Sequence, residues 1–425
     1  MPRPRTRLLT SLATTALSLA TLAAVAPATL APAATAATAG ILPCRSSDGP
    51  GTGSLGSTGL TGSVGGTGSI GGTGSSQGSS FGSTNPIPWL NGRDGGLPNL
   101  KGETQAVQHI TGLDSPNDTA FRFNVVGTDL GIMWDNGGGQ VLTAFGDTVG
   151  FSWNPLCQGL LGDWRSNVLL RSSDRDLSRG MRIDSAALDR RNHAKEIIPS
   201  KKINGVEMTT IPTAGIEVGG VQYINYMSVR SWGLPGAWIT NFSALASSTD
   251  NGENWTVLPT TARTNDPVTG NHNFQMAAYV KSDGYVYAFG TPSGRDGAAY
   301  LSRVREADFT DQLAYEYWNG TGWTPTLPAA AVPVMASPVS EMSVAYNDYL
   351  HKFVTLYTDA TSSVVMRTAD RPQGPWSTPK VLISGRSVPG LYGAYIHPWS
   401  SGPDLYYVAT TWSDYNVMLM RTRLA

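Results

Sequence analysis

Three carboxylates stand out by type and position. Residues 127–150 read GTDLGIMWDNGGGQVLTAFGDTVG. The apolar runs LGIMW and QVLTAFG flank Asp135, Asn136 and three consecutive glycines, the pattern of two antiparallel strands joined by a turn that needs positive φ. Folded about Gly138, this hairpin sets Asp129 against Asp147 at its open end. Opposed residues in such a pair lie roughly 4.5–5.5 Å apart at Cβ, and like charges placed there are destabilising. Two readings are open: unrelated turn aspartates that flank a hairpin, or two carboxyls kept together for chemistry. Glycoside hydrolysis uses such a pair, one group protonated as acid and the other ionised as base or nucleophile. Mutual repulsion raises one pKa and so separates the roles. Glu341, in SEMSVAYN, is the third candidate. It is a second catalytic group, a residue that tunes and positions the others, or a carboxylate bonding backbone amides at a strand start.

Around these acids, several residues are expected to meet substrate hydroxyls. They are Arg165 and Asn167 in WRSN, Thr213 in IPTAGI, Gln275 in HNFQMAAYV, and Tyr392, Tyr395 and His397 in LYGAYIHPW. Arg165 has a competing use as the ion-pair partner of Asp163, and His397 as a structural histidine or the ligand of a central ion. Other reaction classes lack their parts. From Val107 onward there is no G-x-S-x-G and no H-E-x-x-H, and the chain has five histidines, so serine- and zinc-hydrolase chemistry is not expected. Neither a cofactor nor a metal is expected.

The elements that would position these residues are strands. After Val107 an aromatic, apolar run recurs five times: VLTAFGD, VQYINYMS, YVYAFGT, FVTLYTD and LYYVATT. Each is followed by a third run of similar texture: NVLLRSSD, SALASSTD, AAYLSRV, SVVMRTAD and NVMLMRTR. Five such units predict an all-β, five-bladed β-propeller, in which ring closure removes most open sheet edges. The innermost strand of each blade would then deliver its leading polar residues to one mouth of a central channel. A helix is expected only around Ala186 to Ile197. Ser248-Thr-Asp250-Asn-Gly252-Glu-Asn-Trp255 matches S-x-D-x-G-x-x-W, resembling the Asp-box turn of propellers, and Asp370, Gly374 and Trp376 look like a degenerate copy. Both aspartates are read as structural.

Arg3, Arg5 and Arg7 precede an apolar stretch from Leu8 to about Val25 and small residues at 34–39, the layout of an export signal over residues 1–37. Residues 38–90 are a Gly/Ser/Thr-rich arm, too poor in apolar side chains to offset ordering entropy, and residues 91–425 form the propeller. A secreted or envelope-associated monomer without a membrane span is expected. Cys44 and Cys157 would form a disulfide or stay as two thiols. A net charge of −1 without a dense Lys/Arg cluster argues against a nucleic-acid partner and favours a neutral substrate.

At GTDLG, FGDT, WRSN, IPTAGI, YMSVRSWG and SEMSVAYN the chain resembles the actinobacterial domain-of-unknown-function family 4185, grouped as glycoside hydrolase family 183, over roughly Val107 to Ala425. The resemblance implies a five-bladed propeller and an endo-D-arabinofuranosidase acting on the D-arabinan of mycobacterial arabinogalactan and lipoarabinomannan. It also implies that Asp129 and Asp147 are the catalytic pair, with a weaker carry-over to Glu341. A non-catalytic wall-binding propeller and a sialidase-like enzyme are the alternatives. The latter requires a cluster of arginines that the blade starts do not supply.

Overall fold

The computed structural model describes residues 96–151 and 163–425. The expected export signal, the whole arm and both cysteines lie outside these residues. The described chain is a ring of five antiparallel sheets, with a few short satellite pairings. Blade one comprises Leu130–Asp135, Val141–Phe145, Val168–Ser172 and Ser185–Ala186. Blade two comprises Thr209–Val218, Val221–Trp232, Trp238–Ser248 and Thr256–Thr264. Blade three runs Met276–Ser282, Tyr285–Thr291, Tyr300–Arg305, Glu316–Trp318 and Trp323–Pro325. Blade four runs Ser343–Asn347, Lys352–Thr358, Val364–Ala369 and Lys380–Ile383. Blade five is composite: Leu391–Ile396, Asp404–Thr411 and Asn416–Arg423 come from the C-terminal end, while its outer strand, Thr104–His109, comes from the start of the described chain. The ring is thus closed by a strand from each end of the domain.

Each blade's first strand is innermost, and these five strands neighbour one another around the axis. The inner strands of blades one, two and five are buried along most of their length, whereas those of blades three and four alternate buried and partly exposed positions. Ile132, Trp134, Ile211, Met276, Leu391 and Ile396 belong to the resulting core. The S-x-D-x-G-x-x-W turn has its structural role. Asp250 accepts from the Ser248 hydroxyl (2.7 Å) and the Asn254 amide (2.9 Å), Gly252 takes φ +76°, and Trp255 packs edge-on against Trp134.

Two expectations are corrected. The stretch from Ala186 to Ile197 is not helical: it holds the short strands Leu188–Arg190 and His193–Ala194, joined where Asn192 adopts φ +58°. Asparagine tolerates that left-handed turn, and the turn wins over the helical appearance of the segment. The register of the blade-one hairpin also differs by one residue. Asp135 pairs with Val141, symmetric about Gly138, but a bulge between Leu130 and Ile132 shifts the pairing so that Leu130 faces Phe145. The Gly146 amide then donates to the Asp129 carbonyl, and Asp147 sits one residue past direct opposition. The bulge has Leu130 at φ +68° and Gly131 at φ +87°. A non-glycine residue in that region carries strain, here immediately beside a candidate acid.

Gly215, mid-strand in blade two, lies where an added Cβ would run into the indole of Trp134, itself tied to Gln222 (2.9 Å). Gly215→Ala is therefore expected to lower unfolding free energy by roughly 1–3 kcal/mol, as overpacking does, measured by urea denaturation.

Candidate functional site

Because the five inner strands run the same way relative to the axis, their leading residues gather at one mouth. Asp129 immediately precedes the inner strand of blade one, Thr209 opens that of blade two, Glu341 precedes that of blade four, and Tyr392 lies second in that of blade five. The Tyr392 hydroxyl donates to Asp129 Oδ2 (3.0 Å). Asp129 Oδ1 is shut off from solvent and has no hydrogen-bond partner among the described residues. Burial, then the charge of Asp147, pushes the Asp129 carboxyl well above the usual range, against the lowering effect of the Tyr392 bond. Glu341 adds to the rise and Arg295 opposes it.

Asp147 is held differently. It accepts from Thr209 Oγ1 (2.6 Å), and a hydrogen bond from Trp164 and the charge of Lys202 also favour its ionised form. Burial outweighs them and places the Asp147 carboxyl at about 7, with Glu196 contributing to the rise. Asp129 and Asp147 thus share a poorly solvated mouth that raises both carboxyls, Asp129 with one hydrogen-bond donor and Asp147 with two.

Glu341 is bidentate to Arg295, through Nε to Oε2 (3.0 Å) and Nη2 to Oε1 (2.8 Å). Burial alone would lower the Arg295 pKa, but the charge and hydrogen bonds of Glu341 hold it above the usual value. The guanidinium also lies over Tyr392 (4.7 Å to the ring centre) and Trp238 (5.6 Å). Tyr395 and Tyr415 complete the wall, and burial followed by the nearby carboxylates raises both phenols far above their ordinary value. Beyond the wall, Trp412 (58% exposed) packs against Tyr392 and Tyr415, and Trp232 (44% exposed) stacks edge-on with Trp238. Aromatic surface therefore flanks the acids on two sides.

Of the residues singled out from the sequence, the structure brings together Asp129, Asp147, Glu341, Tyr392 and Tyr395. The others are engaged elsewhere. Arg165 pairs with Asp163 (3.2 Å) and donates to the carbonyls of Ala194 and Asn124 (both 2.6 Å). Asn167 is fully buried and bridges Ile197, Ile198 and Thr210. Thr213 is the bulged residue of its strand and pins blade two to blade three through the Ala277 amide (3.2 Å). Gln275 has its amide satisfied by Thr240, Asn271 and Arg263. These four serve the scaffold because their polar groups are already matched by protein. His397 follows the last residue of its inner strand and so lies at the opposite end of the ring from Asp129, near Asp135 and Asp174; burial pushes its imidazole down to about 4. Sequence reasoning missed Arg295, Thr209, Trp164, Lys202 and Tyr415. Among the described residues no cluster of His, Cys, Asp and Glu suits a metal ion, and no helix is long and apolar enough to cross a membrane.

The model of the domain of unknown function DUF4185 matches residues 114–421, which include both aspartates and every inner strand. The chain belongs to the DUF4185 family. Among curated proteins, this DUF4185 chain is 33% identical over 323 residues to the notoamide biosynthesis cluster protein J of Aspergillus sp. (strain MF297-2), covering 70% of this chain and 82% of the relative. Among solved structures it shares its fold with a candidate hydrolase of Bacteroides ovatus ATCC 8483, at TM-score 0.52 and 13% identity over 76% of this chain and 92% of the other. The catalytic domain of the Coprinopsis cinerea GH62 alpha-L-arabinofuranosidase aligns more loosely, at TM-score 0.42 and 12% identity over 75% of this chain and 95% of that domain, and at that distance the likeness carries no functional argument.

The raised carboxyls have a stability signature in this DUF4185 chain. A folded-state pKa above the unfolded value means the folded protein binds more protons, so stability falls as pH rises from about 4 through the Asp147 value of about 7. Asp147→Asn is expected to raise the thermal midpoint above wild type at pH 8, with the gain vanishing toward pH 4, as read by calorimetry across pH.

Proposed function

We propose that this protein is an exported glycoside hydrolase that cleaves internal D-arabinofuranosyl linkages of mycobacterial-type arabinogalactan and lipoarabinomannan. The observation that carries the reading is the pair Asp129 and Asp147, two carboxyls in one dry mouth that raises the proton affinity of both while holding each through different donors. Asp129, with one oxygen unpartnered and its carboxyl pushed well above the usual range, serves as general acid toward the leaving glycosidic oxygen. Asp147, with Thr209, Trp164 and Lys202 favouring its charged form, serves as base or nucleophile at the anomeric carbon. Glu341 is a positioning residue that fixes Arg295, which in turn offers positive charge beside Tyr392 and Asp129. The arabinan substrate is supported by the motif resemblance at TDLG and FGDT, and export by the Arg-then-apolar start of the chain.

A second reading comes from the relatives of the notoamide cluster, whose name points to small-molecule biosynthesis. The same acid pair would then act on a compact intermediate instead of a wall polymer. Incubation with purified arabinogalactan, followed by chromatography of soluble products, decides between them: oligoarabinosides support the first reading, and their absence favours the second.

Asp129→Asn and Asp147→Asn are each expected to cut kcat on arabinogalactan by about 10²–10⁴-fold while the circular dichroism spectrum is retained. An activated aryl arabinofuranoside, which needs little acid assistance, should recover much of the rate of Asp129→Asn, and azide that of Asp147→Asn; the reverse pattern exchanges the two roles. Trp412→Ala removes an exposed platform beside Tyr392. It should raise KM for long oligoarabinosides about 10-fold and leave turnover of the aryl glycoside unchanged.

A further inference from the structure

Away from this mouth, a cavity lies between blades two and three. Its lining includes Asn225, Thr261, Arg263, Tyr279, Gln312 and Tyr315, and about 30 Å³ of it is open to the centre of a water-sized molecule. That is room for about two waters or one small ion. Arg263 is its notable member. Of the three arginines that are buried among the described residues, Arg165 pairs with Asp163 and Arg171 with Glu253 (2.7 Å), but Arg263 has no carboxylate partner. Its Nη1 donates to the Tyr317 hydroxyl (2.6 Å) and to Asn271 Oδ1 (3.2 Å), and its Nε and Nη2 have no acceptor among the described residues. The hydroxyl of Tyr279, also on the cavity wall, has no hydrogen-bond partner there either.

Arginine stays charged at any ordinary pH, and an unpaired charge removed from water carries a penalty that hydrogen bonds to neutral groups only partly offset. The rings of Phe274, Tyr315 and Tyr317 lie 4.9–5.6 Å from the guanidinium centre. Their contribution is modest beside that of a full counter-charge. One net positive charge, unused N–H donors, an unused phenol and a space of one small ion together suit a small anion. The way in passes Thr310 and Gln312, which line the cavity and are exposed and half-exposed respectively.

We propose that this cavity binds a small monovalent inorganic anion of chloride size, held by Arg263 and Tyr279, which locks the last strand of blade two against blade three. The site is independent of the glycosidase reading. The full chain is tested by thermal unfolding in sodium chloride against sodium gluconate, whose anion is too large to enter, at matched ionic strength. Chloride is expected to raise the midpoint saturably, by about 2–4 °C once the site is filled. Arg263→Met should abolish the difference and Tyr279→Phe should reduce it, the second variant serving if the first does not fold. Crystals of the wild-type chain grown in bromide should show an anomalous peak in this cavity. Equal midpoints in the two salts, a chloride response that survives Arg263→Met, or a cavity without bromide each overturns the proposal.

Discussion

A ring of five sheets brings the leading residues of five inner strands to one small mouth, and that convergence is the constraint on which the rest depends. Inner strands pack against one another around the axis, and polar groups collect where several of them begin. There they lose water and must find partners in one another. Asp129 finds Tyr392 for one oxygen and nothing for the other, Asp147 finds Thr209 and Trp164, and Glu341 finds Arg295. Unequal satisfaction of chemically similar groups is what makes this mouth more than a plug of polar residues. Uniformly satisfied carboxylates would all be ionised and would have no proton to deliver.

The fold was readable because its signal is repetitive. Strands such as Val141–Phe145, Tyr285–Thr291 and Lys352–Thr358 share an aromatic, β-branched texture, and the repeat needs no long-range information to be seen. The site was readable in part for the same reason: Asp129, Glu341 and Tyr392 sit at equivalent points of the repeat. What failed was reading polar residues near strand starts as substrate-facing. Asn167, Thr213 and Gln275 have the right chemistry, but their hydrogen-bonding capacity is consumed by the backbone of neighbouring segments. Nothing in one-dimensional order distinguishes an amide that bridges two loops from one that faces a ligand. His397 was misplaced because strand direction carries its end of the segment to the far side of the ring.

Arg295 was hidden for a different reason. It lies between two strands of blade three, in TPSGRDG, a segment whose composition says only that it is a turn. Its importance comes from the fold bringing that turn over Tyr392 and Trp238 and against Glu341. The one-residue shift of the blade-one hairpin has a similar origin. Leu130 gives no local sign of a left-handed conformation, and it adopts one where its amide meets Thr410 of blade five. In both cases a residue's role is assigned by a neighbouring blade.

The composite blade five ties both ends of the domain into one sheet: Thr104–His109 pairs with Asn416–Arg423, the last strand of the chain. During synthesis the first strand must therefore wait, unpaired, while more than three hundred residues are made. Four blades can assemble in order from local contacts, but the pairing that shuts the circle has the largest sequence separation among the described strand pairs and carries the greatest loop-closure cost of them. Because Tyr392 and Tyr415 also belong to this late sheet and its adjoining turn, the mouth around Asp129 is completed only when the ring closes. The protein thus assembles its acid pair's surroundings last, so a nascent or truncated chain has the two aspartates without the dry setting that raises their proton affinities.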